Sequence, residues 1–181
     1  QILFRSEGTV IITAAGSDSL VIEADDNLHQ FLQASVSGNV LEISTTVGTD
    51  IAPSEAPVFR IEMANISAVE LAGAVSLNLQ DVEAEKLDLE LAGMCSANGS
   101  GRVGKLSLEM AGACRADLKS LEAKRATVEL AGMGNAVVFA SESIDAEASG
   151  LGNITCYGNP QDVQKEASGI SKVTIVSESD K

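Results

Sequence analysis

A five-residue segment ending in Ala-Gly or Ser-Gly recurs at nearly constant spacing between residues 69 and 169. Successive copies begin 20, 19, 20, 18 and 19 residues apart. The copies are Val69–Gly73, Leu89–Gly93, Leu108–Gly112, Val128–Gly132, Ala146–Gly150 and Lys165–Gly169. A repeat of this length acts as one structural unit that must pack on its neighbours. The period therefore constrains the fold more strongly than any other feature of the chain.

Apolar and polar residues alternate within each copy, which is the period of a β-strand. Leu87, Leu89 and Leu91 are separated by single polar residues, and residues 75–79 repeat the alternation after a glycine. A period of 19–20 residues is too short for a strand, a crossover helix and a return strand. We therefore predict an all-β chain that folds as a right-handed parallel β-helix (β-solenoid), because parallel crossovers are nearly always right-handed. Each coil is expected to hold 19–20 residues.

The first third of the chain lacks the repeat and is predicted to cap the β-helix, whose open edge would otherwise template aggregation. We expect a single domain over 1–181, with an irregular cap over 1–64, regular coils over 65–176 and a polar tail over 177–181. Alternation and turn residues predict strands at Thr9–Ala14, Leu20–Ala24 and Val58–Met63, a short helix at Asp25–Gln33, a hairpin at Val36–Val40 and a loop at Thr45–Pro57.

The charge of the chain argues against nucleic acid as a partner. Twelve Lys and Arg against 26 Asp and Glu give a formal net charge of −14, whereas nucleic-acid binding selects for basic patches. No apolar run reaches the roughly 18–20 residues of a membrane helix. With no Trp and a single Tyr, the chain also lacks aromatic platforms for stacking on bases or sugars. A lipid anchor upstream of Gln1 and a homo-oligomer are both left open.

Glutamate stands three residues before the glycine in every copy of the repeat. Alternation places these side chains on the outer face, and adjacent strands would set them about 4.8 Å apart. Two unit charges at that distance repel by about 1 kcal/mol in water. We favour a solvated face that resists lateral pairing, with weak binding of divalent cations or of a basic partner as the alternative hypothesis. The candidate binding residues are Glu70, Glu90, Glu109, Glu129, Glu147 and Glu166.

Three other features give no catalytic, metal or cofactor prediction. Cys95 and Cys114 share one column and Cys156 lies in an inward column; buried free thiols are favoured, because parallel side chains fit a disulfide poorly. His29, the single histidine, is predicted to lie on the surface. The Gly-rich segment 99–105 lacks the Gly-Lys-Ser/Thr ending of a phosphate-binding loop. We therefore predict no catalytic residue, no metal site and no cofactor.

Several segments together resemble one known family. They are Leu20–Leu28, Gly38–Ile43, Val58–Met63, the repeat Val69–Ala74 and the later copy Ala148–Gly152. This order is similar to that of the head-GIN domain family of auto-transporter adhesins, found mostly in envelope proteins of Bacteroidetes. The resemblance implies a β-helical fold and a secreted, periplasmic or outer-membrane-anchored location, and the family has no catalytic residues to carry over. The first four copies have Ala before the glycine, where the family usually has Ser.

The function expected from these observations is that of a non-enzymatic envelope or surface protein with an adhesin-like binding role and a protein or glycan partner. Two alternatives stay open. One is a carbohydrate-active β-helix enzyme, a polysaccharide lyase or hydrolase, which rests on fold analogy alone. The other is a structural solenoid that associates with itself.

Overall fold

Nine β-strands form the regular structure of the residues that the computed structural model describes, 1–46 and 55–176. They are β1 (Ile2–Arg5), β2 (Gly8–Ala14), β3 (Ser19–Glu23), β4 (Leu32–Ser37), β5 (Val40–Thr45), β6 (Val58–Met63), β7 (Ala68–Tyr157), β8 (Asp162–Gly169) and β9 (Lys172–Ile175). In β2 and β6 the buried residues alternate with more exposed ones, as the pleat of a strand requires. The predicted all-β class is confirmed. Within the described ranges no helix is long and apolar enough to cross a membrane.

The prediction of a right-handed parallel β-helix is wrong. All nine strands belong to one sheet in the order β3-β6-β2-β7-β1-β5-β4, with β8 and β9 also pairing with β7. This sheet is open and curled like half of a barrel, and it mixes parallel with antiparallel pairs. β3 runs antiparallel to β6 and β4 antiparallel to β5, whereas β1, β2, β8 and β9 pair in parallel.

The antiparallel pairing of β4 with β5 has a physical cause in the connection between these strands. A two-residue turn at Gly38 and Asn39 joins β4 to β5, with Ser37 paired to Val40, and a connection this short permits only an antiparallel pair. β4 therefore ends one side of the sheet path in the reverse direction, and β3, which pairs antiparallel with β6, ends the other side. Residues 1–64 are likewise not an irregular cap, because they contribute six strands to the same sheet as β7.

The 90-residue strand β7 curls back beside itself, since a straight strand of that length would extend about 300 Å. Its glycines make the close approach possible. A Cβ added to Gly93 would lie 2.5 Å from the carbonyl oxygen of Gly73, and one added to Gly112 would lie 2.5 Å from that of Gly93. Both have positive φ, 110° and 109°, which only glycine adopts without strain. Residues about one repeat apart therefore lie side by side.

Slim aliphatic side chains fill the concave face of the sheet. Leu71, Leu91 and Leu130, each two residues before a repeated glycine, are at most 3% exposed. Phe4 and Phe59 pack edge to face at the N-terminal end, with ring centroids 4.8 Å apart. The low aromatic content thus matches a narrow core, in which aligned rungs leave room for Leu, Val, Ile and Ala.

The first third of the chain contains most of the strands predicted for it. The strands near Thr9–Ala14, Leu20–Ala24 and Val58–Met63 and the hairpin after Val36 are confirmed. The helix at Asp25–Gln33 is wrong: residues 26–31 form turns and β4 begins at Leu32. A helix this short lacks the hydrogen bonds to offset its nucleation cost. Residues 47–54 of the predicted loop, and the predicted tail 177–181, lie outside the described residues.

Candidate functional site

The six repeated glutamates share the outer face of one wall of the sheet, and we call this column the acidic stripe (Glu70, Glu90, Glu109, Glu129, Glu147 and Glu166). Glu70 is half-buried and the other five are exposed. Glu147 and Glu166 are direct partners in the parallel ladder. The inward neighbours of each glutamate from Glu70 to Glu147 are buried, as with Leu89 and Leu91 on either side of Glu90. Their binding role stays a prediction.

Glu42 extends the acidic stripe at its N-terminal end, a position that the repeat did not reveal. Leu3 pairs with Glu70 on one side and with Glu42 on the other. The guanidinium of Arg5 bridges this gap, 3.5 Å from the Glu70 carboxylate and 4.0 Å from that of Glu42. Only strand register places Glu42 here, since it lies outside the repeated segments. In the described part of the chain, no group of three or more His, Cys, Asp or Glu could hold a metal ion.

A second column of charge lies on the same wall, four residues before the glutamates of three successive copies. It consists of Lys86, Lys105 and Arg125, which are exposed and which we call the basic stripe. A Cβ on Gly104 would lie 2.5 Å from the carbonyl oxygen of Glu85, so Lys105 lies beside Lys86. The basic stripe was not among the predicted binding residues, although its members stand four residues before the glutamates in three successive copies of the repeat.

The basic stripe is only partly neutralised. The ammonium of Lys86 lies 2.7 Å from the Asp88 carboxylate. Outside the stripe, Arg102 forms an ion pair of 3.1 Å with Glu122. These two residues are 20 positions apart, so the rung of Lys105 lies beside that of Arg125 at the same offset. No carboxylate of residues 1–46 and 55–176 forms an ion pair with Lys105 or Arg125. Two adjacent cations are therefore available to an external anion in a strongly acidic chain.

Lys105 and Arg125 line a concavity of about 330 Å³, which we call the polar cleft. Its cations lie on two rungs of β7, and its acidic and amide side chains lie on the next rungs. Ser143 pairs with Asp162 and Asp145 with Gln164 across the β7–β8 ladder. The side chains that line the cleft with hydrogen-bonding groups are Lys105, Arg125, Thr127, Ser143, Asp145, Asp162 and Gln164. The cleft thus combines a cationic end with an end of hydroxyl, amide and carboxylate groups.

A larger concavity of about 520 Å³ lies where the ends of β3, β4, β5 and β6 meet, and we call it the N-terminal cleft. Its apolar lining includes Leu20, Leu41 and Val36, the last of which is 73% exposed. The two carboxylates near its rim are already engaged: Asp18 accepts a hydrogen bond from the backbone N–H of Ala64, and Glu62 accepts one from Ser19. Its chemistry therefore differs from that of the polar cleft.

The cysteines are buried and free, which confirms the prediction of buried thiols. Burial raises the pKa of Cys95 to about 11, with the neighbouring Cys114 adding to the rise. Burial likewise raises the pKa of Cys156 to about 11. Thiolates, the nucleophilic form, are thus disfavoured at neutral pH. His29 is exposed in the turn before β4, as predicted.

The family resemblance inferred from the sequence is confirmed. Residues 1–160 match the model of the family described as "putative auto-transporter adhesin, head GIN domain". The match contains the whole basic stripe and every member of the acidic stripe except Glu166. Among curated proteins, none matches the chain.

Solved structures with low sequence identity share the fold. A putative adhesin from Bacteroides fragilis has a TM-score of 0.77 at 20% identity, covering 97% of this chain and 91% of its own. A putative adhesin from Parabacteroides merdae has a TM-score of 0.55 at 15% identity, covering 97% and 90%. A protein from Parabacteroides distasonis described as a putative lipid-binding protein has a TM-score of 0.50 at 16% identity, covering 97% and 91%. At these identities the likeness concerns the fold alone.

Proposed function

Because the chain belongs to the head-GIN family of auto-transporter adhesins, we propose that it is a non-enzymatic binding module of the bacterial cell envelope. Its partner, a glycan or a protein, is held on the outer wall that carries the acidic and basic stripes. The observation that carries the proposal is the presentation of two parallel columns of exposed charge on one sheet.

Strand geometry gives these charges fixed spacings. Neighbouring rungs are about 4.8 Å apart, and four residues along a strand separate the two stripes by about 13 Å. A partner that matches this grid meets side chains whose backbone is already ordered, which lowers the entropy cost of binding. Each exposed charge pair contributes only about 0–1 kcal/mol. The partner must therefore contact several rungs at once, which favours a polymer or an extended protein surface.

Arg5 illustrates how the acidic stripe can hold a basic group. Its guanidinium lies between two rungs and reaches the carboxylates of both Glu42 and Glu70. Farther along the stripe, no cation of the described residues forms an ion pair with the glutamates from Glu90 to Glu166. An arginine or lysine from a partner would occupy the same kind of position there. The proposal thus includes weak binding of a basic partner along the acidic stripe.

A polysaccharide lyase or hydrolase and a self-associating structural module are the competing functions. An enzyme would place an acid and a base on either side of one glycosidic bond, and its substrate would be shortened. A self-associating module would form larger species as its concentration rises. The proposed binding module would retain a ligand without shortening it and would not form larger species as its concentration rises.

The test is a binding screen with product analysis on the same samples. Polygalacturonate, a neutral galactan and a lysine-rich protein such as histone H1 are immobilised, and retention of the protein is measured by biolayer interferometry. The polysaccharides are also incubated with it overnight and analysed for new reducing ends and unsaturated products. We expect retention on at least one surface with unchanged polymer length. Release of shortened chains, or no retention on any surface, would contradict the proposal.

The envelope location is part of the same proposal and needs its own experiment. Antibodies raised against the purified protein are applied to intact and to permeabilised cells of the producing organism, with a cytoplasmic enzyme as the control. Labelling of intact cells, or recovery in the periplasmic or outer-membrane fraction, supports an envelope protein. Recovery together with the cytoplasmic enzyme alone argues against it.

A further inference from the structure

We propose that the polar cleft binds an acidic saccharide, with the sugar carboxylate against Lys105 and Arg125 and the sugar hydroxyls against Asp162 and Gln164. This inference rests on the proposed function and deepens it, because it names the ligand class for one part of the wall. A volume of about 330 Å³ is near the lower end of the range for small-ligand sites, which suits one or two sugar units.

The cationic end of the cleft is suited to a carboxylate. Lys105 and Arg125 lie on adjacent rungs, as the ion pair between Arg102 and Glu122 with the same offset requires. Two like charges about 4.8 Å apart repel one another, and an anion between them relieves that repulsion. The guanidinium of Arg125 also presents parallel N–H groups that match the two oxygens of a carboxylate.

The other end of the cleft is suited to hydroxyl groups. Asp162 and Gln164 lie on β8, directly beside Ser143 and Asp145 of β7. Carboxylate oxygens accept hydrogen bonds from hydroxyls, and an amide both donates and accepts. The carboxylates of Asp145 and Asp162, across the cleft from the cations, would repel a bare anion, but they would accept hydrogen bonds from the hydroxyls of a sugar ring. This polarity favours an acidic sugar over both inorganic anions and neutral sugars.

The offset between the two ends follows from which rungs lie side by side. The hydroxyl of Ser141 donates a 3.5 Å hydrogen bond to the carbonyl oxygen of Ala123, 18 residues away. A Cβ added to Gly150 would lie 2.5 Å from the carbonyl oxygen of Gly132 at the same offset, so Ser143 lies beside Arg125. Asp162 follows on the next rung beside Ser143. Two rungs, about 10 Å, therefore separate Arg125 from Asp162, a span that a sugar carrying a carboxylate can bridge.

The experiment is an isothermal titration of the full chain with three probes: trigalacturonate, galactotriose of equal length without the carboxylates, and inorganic phosphate. We expect trigalacturonate to bind more tightly than either of the others. Arg125→Gln should weaken trigalacturonate binding by about three- to five-fold, since it removes one exposed charge pair. Lys172→Gln, which removes one exposed positive charge on β9, is the matched control and should leave binding unchanged.

A second variant separates the sugar from a bare anion. Asp162→Ala removes both a hydroxyl acceptor and a negative charge, so it should weaken trigalacturonate binding while leaving phosphate binding equal or tighter. Weakening of both ligands, or of neither, would overturn the assignment of the sugar hydroxyls. Circular dichroism and the melting temperature verify that each variant is folded.

The outcomes separate this inference from the proposed function. If the wild type binds trigalacturonate no better than galactotriose or phosphate, or if Arg125→Gln binds as tightly as Lys172→Gln, the acidic-saccharide site is wrong. The binding-module proposal survives that result when the wild type is still retained on another surface in the screen. It fails only when nothing is retained or when a polymer is shortened.

Discussion

Replacing Gly112 with alanine should break the side-by-side packing of β7, because this position has no space for a Cβ. The added atom would lie 2.5 Å from the carbonyl oxygen of Gly93 and 3.2 Å from its nitrogen and carbonyl carbon. The residue also has φ of 109°, a conformation that L-residues rarely adopt. Both the rung contact and the backbone angle therefore oppose the substitution.

The two penalties can be estimated separately. A non-glycine residue in a sparsely populated backbone region costs about 1–3 kcal/mol. Forcing an extra carbon into a filled space costs about 1–3 kcal/mol more. We therefore expect Gly112→Ala to lower the free energy of unfolding by about 2–6 kcal/mol. Gly16→Ala is the matched control, because no atom lies within 4 Å of its added Cβ, and surface substitutions of this kind stay within about 0.5 kcal/mol of the wild type.

Urea unfolding followed by circular dichroism measures both changes. The midpoint and slope of the transition give the free energy of unfolding. If Gly112→Ala unfolds within about 0.5 kcal/mol of Gly16→Ala, the rungs do not pack as closely at Gly112 as described and the description of β7 is wrong.

Three further predictions concern the edge, the acidic stripe and the thiols. Lys165 pairs with buried Ala146 in the ladder and so places a charge in an otherwise apolar column at the exposed strand β8, where an inward charge deters edge pairing. Lys165→Val should therefore form larger species in light scattering as its concentration rises, whereas a variant that stays monomeric would refute this role. Glu109→Gln should raise the free energy of unfolding by a few tenths of a kcal/mol at low salt and by nothing in 1 M NaCl, and a loss of stability would reveal a favourable contact. The folded pKa values of Cys95 and Cys156 are raised from 9.0 to about 11, so the contribution of their neutral thiols to stability is complete below pH 9 and is lost between pH 9 and pH 11. The difference in unfolding free energy between the wild type and Cys156→Ala should therefore change over that range, and a difference that stays constant would contradict this.

The strands were predictable from the sequence because their signal is local. Alternation needs only neighbouring residues, so β2, β3 and β6 were recognised. The direction in which distant strands pair is not local. The Gly38-Asn39 turn predicted the antiparallel hairpin of β4 with β5, but no local pattern indicated that β3 would pair with β6 or that these pairs would end the same sheet as the repeats. The repeat favoured parallel coils throughout, which led to the wrong fold class.

The candidate site was predictable only in part for a related reason. The glutamate column repeats in every copy and was visible by counting residues from the glycine. Glu42 joins it only through the pairing of β5 with β1, which no local pattern encodes. Lys86, Lys105 and Arg125 were present in the same alignment, but they occupy three copies and change to serine and aspartate in the next two. Their significance depends on Asp162 and Gln164 closing the polar cleft beside them.

The central claim, that the charged outer wall of this sheet binds an acidic saccharide at the polar cleft, is tested most directly by mapping where trigalacturonate contacts the chain. Backbone amide shifts of the isotope-labelled protein are recorded by NMR during titration with trigalacturonate. We expect the shifted amides to cluster around Lys105, Arg125 and Ser143. Shifts that cluster instead around Leu20 and Val36 in the N-terminal cleft, or no shifts at saturating trigalacturonate, would contradict it.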